Sequence, residues 1–402
     1  MSTGVWAEVV GQPEAVAVLG AAARAADELV SGRPVTPGAM THAWLFTGPP
    51  GSGRTTAARA FAAALQCSSA GWGDVPGCGE CQACRTVLAG THPDVRVVAP
   101  EGLSIAVAEM RALVQISARR PTAGRWQVVI ISDADRLTEG ASNALLKVIE
   151  EPPERTVFLL CAPSDHPEDI SVTIRSRCRA LSLRTPPAWA IAQVLQEHHG
   201  VPEDMASWAA SVSAGHIGRA QRLATDPEAR SRRESVLSIP LGLRRLGDVF
   251  TKADDLVKSA EAEASAVSET RDEAEKEALK TAMGFGGTGR GVAAAERGAK
   301  AALRDLEKRQ KSRATRTQRD ALDLALIDLI GFYRDVLTAS MRAEVTLNHP
   351  DRAADVRTAA AEWSADSALR RLEAVLQCRE ALGQNVKPRI AIEAMLTSLH
   401  RG

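Results

Sequence analysis

The chain has 402 residues, which is enough for two or three domains with cores of their own. Lysine and arginine together number 49, as do aspartate and glutamate, and this balance excludes a strongly basic chain that binds nucleic acid through bulk charge. Aromatic residues are few, with one Tyr and six Phe, whereas alanine is abundant, and such a composition favours a helix-rich protein.

The first residues, MSTGVWAEVVGQPEA, contain neither the basic nor the apolar segment that a signal peptide needs. The longest apolar runs, VVII and VFLLCA, are far shorter than the roughly 20 residues of a membrane-spanning helix. We therefore expect a cytoplasmic protein with no membrane partner. Its seven cysteines should then be thiols or metal ligands rather than a disulfide framework.

In the first part of the chain, short apolar runs alternate with amphipathic segments. The runs predict strands at His42–Gly48, Pro93–Pro100, Trp126–Ser132, Thr156–Ala162 and Ala180–Arg184. The segments predict helices at Arg54–Cys67, Ile105–Ala118 and Glu139–Glu151. Strands that alternate with helices predict an α/β domain with a parallel sheet.

The first predicted strand leads into GPPGSGRT, which precedes a predicted helix. This context and the pattern G-x-x-x-x-G-K-[ST] are typical of a phosphate-binding P-loop, except that Arg54 stands where lysine is expected. Lysine is a compact charge that sits against the terminal phosphates, whereas arginine is longer and forked. We expect the loop amides to retain weak nucleotide binding or none, with negligible hydrolysis. The other predicted nucleotide-binding residues of the loop are Gly48, Gly51, Gly53 and Thr55.

Acidic residues follow the apolar run VVIIS. Asp133 lies where a P-loop enzyme holds Mg²⁺, although a capping aspartate at a turn would look the same. Many such ATPases place a glutamate next to polarise water, but Ala134 occupies that position, and Asp135 is expected to point elsewhere. Self-catalysed hydrolysis should therefore be impaired. ATP with Mg²⁺ remains a candidate cofactor.

Four cysteines with the spacing C-x10-C-x2-C-x2-C lie in a turn-rich stretch, at Cys67, Cys78, Cys81 and Cys84. Four thiolates can complete the tetrahedral coordination of a zinc ion. A short loop segment without a hydrophobic core needs such a metal site to stabilise its fold. We predict one structural Zn²⁺, with a redox pair as the weaker alternative. Three further cysteines lie outside this cluster, and we expect each of them to be a buried thiol: Cys161, Cys178 and Cys378.

Beyond Thr185 the signals for strands fade and helices are predicted to the end of the chain. We predict a nucleotide-binding-like domain at 1–184 with a zinc module at 67–84, a helical lid at 185–238 and a helical collar at 239–402. Residues 251–320 are charged and poor in large apolar side chains. They are expected to form two exposed helices joined by a flexible tip at Gly284–Gly291.

Several segments, GPPGSGRTTAARAFAAALQC with the cysteine cluster, THPDV, DADRLTEGASNALLKVIEEPPERTVFLLCA and RSRCR, resemble bacterial replicative clamp loaders, a branch of the AAA+ ATPases. The resemblance covers Val9 to Ala224, and ASNALLKVIEEPPE is its most specific part. Asn385–Leu396 looks like the last collar helix of such subunits. The segment 251–320 has no counterpart in the resemblance.

The resemblance implies roles for further residues. Arg177, in the sequence SRC, matches the family's arginine finger, which faces nucleotide held by a neighbouring subunit. Arg219, in GHIGRA, matches the arginine of the second sensor, and Val10–Gln12 matches the segment near the adenine. The first sensor has no clear match, with Ser164 as a candidate.

Two functions within this family, and a more remote one outside it, are compatible with the sequence. The first is an assembly subunit of a hetero-pentameric loader, with other subunits of the gamma/tau and delta kinds, the sliding clamp and primed DNA as partners. The second is an active ATPase motor of the same loader, which should carry the lysine and glutamate that are missing here. The third is an unrelated P-loop protein with a zinc insert, which leaves ASNALLKVIEEPPE unexplained.

Overall fold

The computed structural model describes residues 4–69, 76–100, 102–282 and 292–402. The chain divides into two compact units, Met1–Pro100 with Ser104–Thr225 and Glu101–Leu103 with Asp226–Gly402. The boundary at Thr225 falls inside the lid predicted at 185–238. The finer division into 1–184, 185–238 and 239–402 stays a prediction.

The first unit is built on a five-stranded parallel sheet with the order β2-β3-β4-β1-β5. All five predicted strands are confirmed, each within a few residues of its expected bounds. They are β1 (Ala43–Thr47), β2 (Val95–Val98), β3 (Gln127–Ile131), β4 (Thr156–Ala162) and β5 (Arg179–Ser182). Every residue of β1, β3 and β4 is buried, as expected for parallel strands covered on both faces.

Helices lie on both faces of this sheet, and the predicted α/β fold with a parallel sheet is confirmed. The described helices of this unit are α1 (Pro13–Val30), α2 (Arg54–Gln66), α3 (Gln82–Leu88), α4 (Val107–Ser117), α5 (Glu139–Glu150), α6 (Val172–Arg175), α7 (Ala188–His199), α8 (Glu203–Ser211) and α9 (Ile217–Thr225). Short 3₁₀ turns occur at Gly4–Trp6 and Ala134–Arg136.

Side chains that alternate along the strands form two cores. Phe46, Ile130 and Leu159 pack with the α1 and α2 side of the sheet. Leu45 and Phe158 pack with α4 and α5 on the other side. Since all strands are parallel, the loops after β1, β3 and β4 emerge at one edge of the sheet, where ligand sites of such folds lie.

The second unit is built of helices, without a strand among its described residues. Its helices are α10 (Pro227–Leu237), α11 (Ile239–Gly242), α12 (Leu246–Ala282), α13 (Val292–Ser340), α14 (Ala353–Glu362), α15 (Ala365–Gly383) and α16 (Pro388–Arg401), with a 3₁₀ turn at Pro350–Arg352. Leu326, Phe332 and Leu396 are fully buried in its core. Among the described helices of the whole chain, none is both long and apolar enough to cross a membrane.

The described residues of the charged segment 251–320 lie in two paired helices, as predicted, and both helices run beyond the segment into the core. Val249 at the start of α12 and Leu322 in α13 are fully buried. Outside the core, Arg313 joins the two helices by contacting Asp272 at 2.6 Å and Glu275 at 2.5 Å. The expected tip at Gly284–Gly291 lies outside the described residues.

Candidate nucleotide site and metal centre

The loop GPPGSGRT connects β1 to α2, which places it at the carboxyl edge of the sheet. Gly48, Gly51 and Gly53 have φ values of +152°, +83° and +88°, so the loop uses backbone conformations that favour glycine. Helix α2 begins directly after Gly53. The first amides of α2 therefore have the orientation that binds anions in such loops.

Arg54 folds back onto the loop that carries it. Its Nη1 donates to the carbonyl oxygen of Gly48 at 2.7 Å. The guanidinium therefore has a partner within the loop itself, whereas a lysine at this position would direct one compact charge at the phosphates. This contact was not foreseen from the sequence, which predicted only a poor fit.

Thr55 and Asp133, from different elements, lie close to the buried thiol of Cys161 on β4. The Thr55 hydroxyl donates to the Cys161 sulfur, and Arg54 and Asp133 both act on it electrostatically. Burial raises the pKa of Cys161 to about 12, so the thiol is neutral. Thr55 of the predicted loop and Asp133, the predicted Mg²⁺ residue, thus both lie near Cys161 at one edge of the sheet.

Ala134 is 2% exposed and has no group that could polarise water. Asp135 is half-buried, and the charges of Asp133 and Arg54 both act on its carboxyl group. Burial raises the pKa of Asp135 above its ordinary value, and the negative charge of Asp133 acts in the same direction.

The side chain of Gln12 connects the start of the chain to the P-loop and to Arg184 through hydrogen bonds. Its Nε2 donates to the carbonyl oxygen of Arg184 at 2.6 Å and, more weakly, to that of Ser52 at 3.4 Å. Its Oε1 accepts the backbone N–H of Arg184 at 3.1 Å. The segment Val10–Gln12, predicted near the adenine, therefore lies beside the loop.

Arg219 is 8% exposed on α9, and its backbone N–H donates to Nδ1 of His216 at 3.2 Å. His216 also lies against Gly51, so it joins α9 to the P-loop. Sequence reasoning missed His216, because the motif GHIGRA directs attention to its arginine. The only local signal was its position directly before α9.

Ser164, the candidate first sensor, uses its hydroxyl group for hydrogen bonds within its own turn. Its hydroxyl donates to Asp169 Oδ2 at 2.6 Å and accepts the backbone N–H of His166 at 3.1 Å. Both partners lie within five residues of Ser164 along the chain. The first sensor therefore still has no clear candidate.

Arg177 lies just after α6 and is partly exposed. Its Nη2 is 2.5 Å from Glu150 Oε1 at the end of α5, and its Nη1 donates to the Thr173 carbonyl at 2.9 Å and Ser176 Oγ at 3.3 Å. Side-chain exposure is 35% for Arg177 and 46% for Glu150. The guanidinium is thus oriented at the surface, with a partner that sequence reasoning did not identify.

The four cysteines form a cluster whose Sγ atoms all lie within 4.8 Å of one another, at Cys67, Cys78, Cys81 and Cys84. The first two sulfurs are 3.7 Å apart. A tetrahedral zinc ion with Zn–S bonds of about 2.3 Å separates its sulfurs by about 3.8 Å. The donor set and spacing therefore fit one structural Zn²⁺.

The thiols of this cluster differ in acidity. Although burial alone would raise the pKa of Cys81, backbone N–H donors from Cys84 and Ser68 lower it to about 6. Burial raises the pKa of Cys84. A divalent cation would supply the positive charge that stabilises all four thiolates.

The cysteine cluster also secures the start of the chain. Val5 donates its backbone N–H to the Gly77 carbonyl at 3.1 Å, and Trp6 Nε1 donates to the Pro76 carbonyl at 2.9 Å. A Cβ atom on Gly4 would lie 2.1 Å from the Gly77 oxygen, so the two segments touch directly. Metal at the cluster would thus hold the segment that leads to Gln12.

Residues 31–187 match a protein family described as DNA polymerase III, delta subunit. DNA polymerase III subunit delta' of Bacillus subtilis (strain 168) is 32% identical over 200 residues, which are 50% of this chain and 59% of that protein. The delta' subunit of Escherichia coli (strain K12) is 35% identical over 184 residues, 45% of this chain and 54% of that protein. This chain spans a little over half the length of these two relatives.

DNA polymerase III subunit tau of Bacillus subtilis (strain 168) is 37% identical over 177 residues, 42% of this chain and 31% of that protein. Among solved structures, a DNA polymerase III, gamma subunit-related protein of Thermotoga maritima aligns with a TM-score of 0.40 at 14% identity. That alignment covers 94% of this chain and 99% of the other.

Proposed function

We propose that the chain is the delta-prime subunit of a DNA polymerase III clamp loader, because residues 31–187 match the family described as DNA polymerase III, delta subunit, and delta' subunits are among its relatives. In this proposal it assembles with gamma/tau and delta subunits into a hetero-pentamer. The complex opens a sliding clamp with ATP and places it on primed DNA during replication.

The observation that carries the proposal is the contrast between two arginines. Arg54 is bound to the Gly48 carbonyl inside the chain's own P-loop, and Ala134 stands where a glutamate is expected. Arg177, in contrast, lies at the surface, where a neighbouring subunit could meet it. Such a division suits a subunit that assists hydrolysis elsewhere and performs little itself.

Arg177 would act in trans on ATP bound to an adjacent motor subunit. Phosphoryl transfer spreads negative charge over the γ-phosphate oxygens, and a guanidinium delivered from outside stabilises that charge. If nucleotide binds to this chain, the loop glycines would cradle its phosphates, Thr55 and Asp133 would hold Mg²⁺, and Arg219 would lie near the phosphates from the α9 side. The cysteine cluster would hold a structural Zn²⁺.

An active motor subunit is the second candidate, because the tau subunit is as similar to this chain as the delta' subunits are. Copy number separates the two candidates. The chain should be co-expressed with the gamma/tau and delta subunits of its own organism, and the purified complex should be weighed by native mass spectrometry. One copy alongside several gamma/tau copies supports the proposal, whereas several copies of this chain support the motor. Failure to enter any complex would contradict both candidates.

A further inference from the structure

We propose that His216 closes the P-loop of this chain, so that ATP is excluded by His216 as well as by Arg54. This inference deepens the proposed function, which requires that the chain's own nucleotide site is weak. It assigns that weakness to two residues that contact different glycines of the loop, Gly48 and Gly51. The motif comparison identified only one of them.

The contact between His216 and the loop is direct. A Cβ atom placed on Gly51 would lie 2.4 Å from His216 Cγ and 2.5 Å from both its Cα and its Cβ. Real Cβ atoms do not approach other heavy atoms so closely, so only glycine leaves room for His216 here. His216 therefore covers the middle of the loop, where bound phosphates would meet the amides of Gly51 and its neighbours.

His216 is fixed in this position by the start of α9. Its backbone N–H donates to the Ser213 carbonyl at 3.1 Å, and its carbonyl accepts the N–H of Ala220 at 2.9 Å. Its Nδ1 accepts the backbone N–H of Arg219 at 3.2 Å. With both backbone groups and one ring nitrogen engaged, the imidazole cannot leave the loop without breaking contacts at the start of α9.

His216 supplies no positive charge that would offset the space its side chain occupies at the loop. Burial lowers its pKa, and the nearby charges of Arg219 and Arg54 lower it further. The ring is therefore neutral at neutral pH and offers phosphates no cation. A nucleotide would have to displace it without gaining an ion pair in return.

The two obstacles are separate, because Arg54 binds the Gly48 carbonyl within the loop while His216 contacts Gly51 from α9. Replacing Arg54 by lysine should place a compact positive charge against the phosphates. His216 should still cover the loop in this variant. Replacing His216 should uncover the loop but leave Arg54 bound to the Gly48 carbonyl, without a compact charge at the phosphates. Tight binding should require both changes.

The test is the affinity of the purified full chain for Mg²⁺–ATP, measured by isothermal titration calorimetry. The variants are Arg54→Lys, His216→Ala and the two combined. We expect the combined variant to bind at least about tenfold more tightly than Arg54→Lys alone, and Arg54→Lys itself to gain little over the wild type. If the combined variant binds no more tightly than Arg54→Lys, His216 does not close the loop and the inference is wrong.

Two controls keep this result interpretable. His216→Ser retains a hydroxyl that can cap α9, so it replaces His216→Ala if the alanine variant unfolds. His198→Ala removes an exposed histidine on α7 and should leave affinity unchanged in the Arg54→Lys background. Copy number in the purified loader does not depend on this affinity, so the inference can fail while the proposed function stands.

Discussion

The carboxylate of Glu150 and the guanidinium of Arg177 form an ion pair of 2.5 Å between the end of α5 and the turn after α6. Each side chain is more than one-third exposed. Exposed ion pairs contribute only about 0–1 kcal/mol to stability. The pair therefore orients the arginine at the surface without making the fold depend on it.

Arg177→Ala and Glu150→Gln should each change the free energy of unfolding by less than about 1 kcal/mol. Urea unfolding of the two variants and the wild type measures this. Arg175→Ala, which removes the neighbouring arginine on α6, is the matched control. A loss well above this value in Arg177→Ala would make Arg177 a structural residue.

The wild-type chain should show negligible steady-state ATP hydrolysis when assayed alone. Arg54 is held by its own loop and Ala134 cannot polarise water, so both charge stabilisation and water activation are deficient. Phosphate release measured at saturating Mg²⁺–ATP checks this expectation. Robust turnover that disappears in Thr55→Ala would show a working site and refute it.

The chain should carry one tightly held Zn²⁺ when it is purified without added metal. Cys81→Ser should remove the metal and increase hydrogen exchange at the backbone amide of Val5, because its partner, Gly77, belongs to the cysteine module. Elemental analysis and exchange mass spectrometry measure both effects. Cys178→Ser, which removes a thiol outside the cluster, should retain the metal. Metal-free protein with four freely reactive thiols would contradict the assignment.

Protonation of His349 should destabilise the chain in mild acid. His349 is buried, accepts a hydrogen bond from Arg233 Nη2 at 2.9 Å, and its Nε2 donates to the Asp328 carbonyl at 3.0 Å. Burial lowers the pKa of His349 below the ordinary value of 6.5; the charge of Asp328 opposes this shift, and the charge of Arg233 adds to it. The unfolded chain therefore binds this proton first, so stability is full above pH 6.5 and decreases as the pH falls below it.

His349→Gln keeps an acceptor and a donor but does not titrate. As the pH falls from about 7 to about 5, the free energy of unfolding of the wild type should decrease more than that of this variant. Chemical unfolding at several pH values measures the difference, with His198→Gln as an exposed control. Parallel stability curves for wild type and His349→Gln would show that His349 carries no such effect.

The sequence predicted much of the fold because hydrophobic periodicity is local. The five strands, α2, α4 and α5 followed from it, whereas the paired charged helices were predicted from composition. Helix α1 was missed, although its apolar spacing is helical, because it lies before the first motif. The domain boundary was harder, since helices are predicted on both sides of Thr225 and only Asp226 separates α9 from α10.

The candidate site was predictable where a motif fixes its residues within one segment. The P-loop, Asp133 and the cysteine cluster are of this kind. The contacts of Gly51 with His216 and of Thr55 with Cys161 join residues more than a hundred positions apart, and no local pattern encodes them. The bond between Arg54 and Gly48 depends on which rotamer the longer side chain adopts, which the sequence leaves open.

The most direct test of the proposed function is DNA-stimulated ATP hydrolysis by the reconstituted loader that contains Arg177→Ala. Arginine fingers contribute on the order of a thousandfold in rate at the site they serve. Only one of several sites in the ring would lose its finger, so total turnover should fall less, while clamp loading drops and zinc content and assembly stay unchanged. Unchanged hydrolysis and loading rates at limiting ATP would show that Arg177 is an ordinary surface residue and contradict the account.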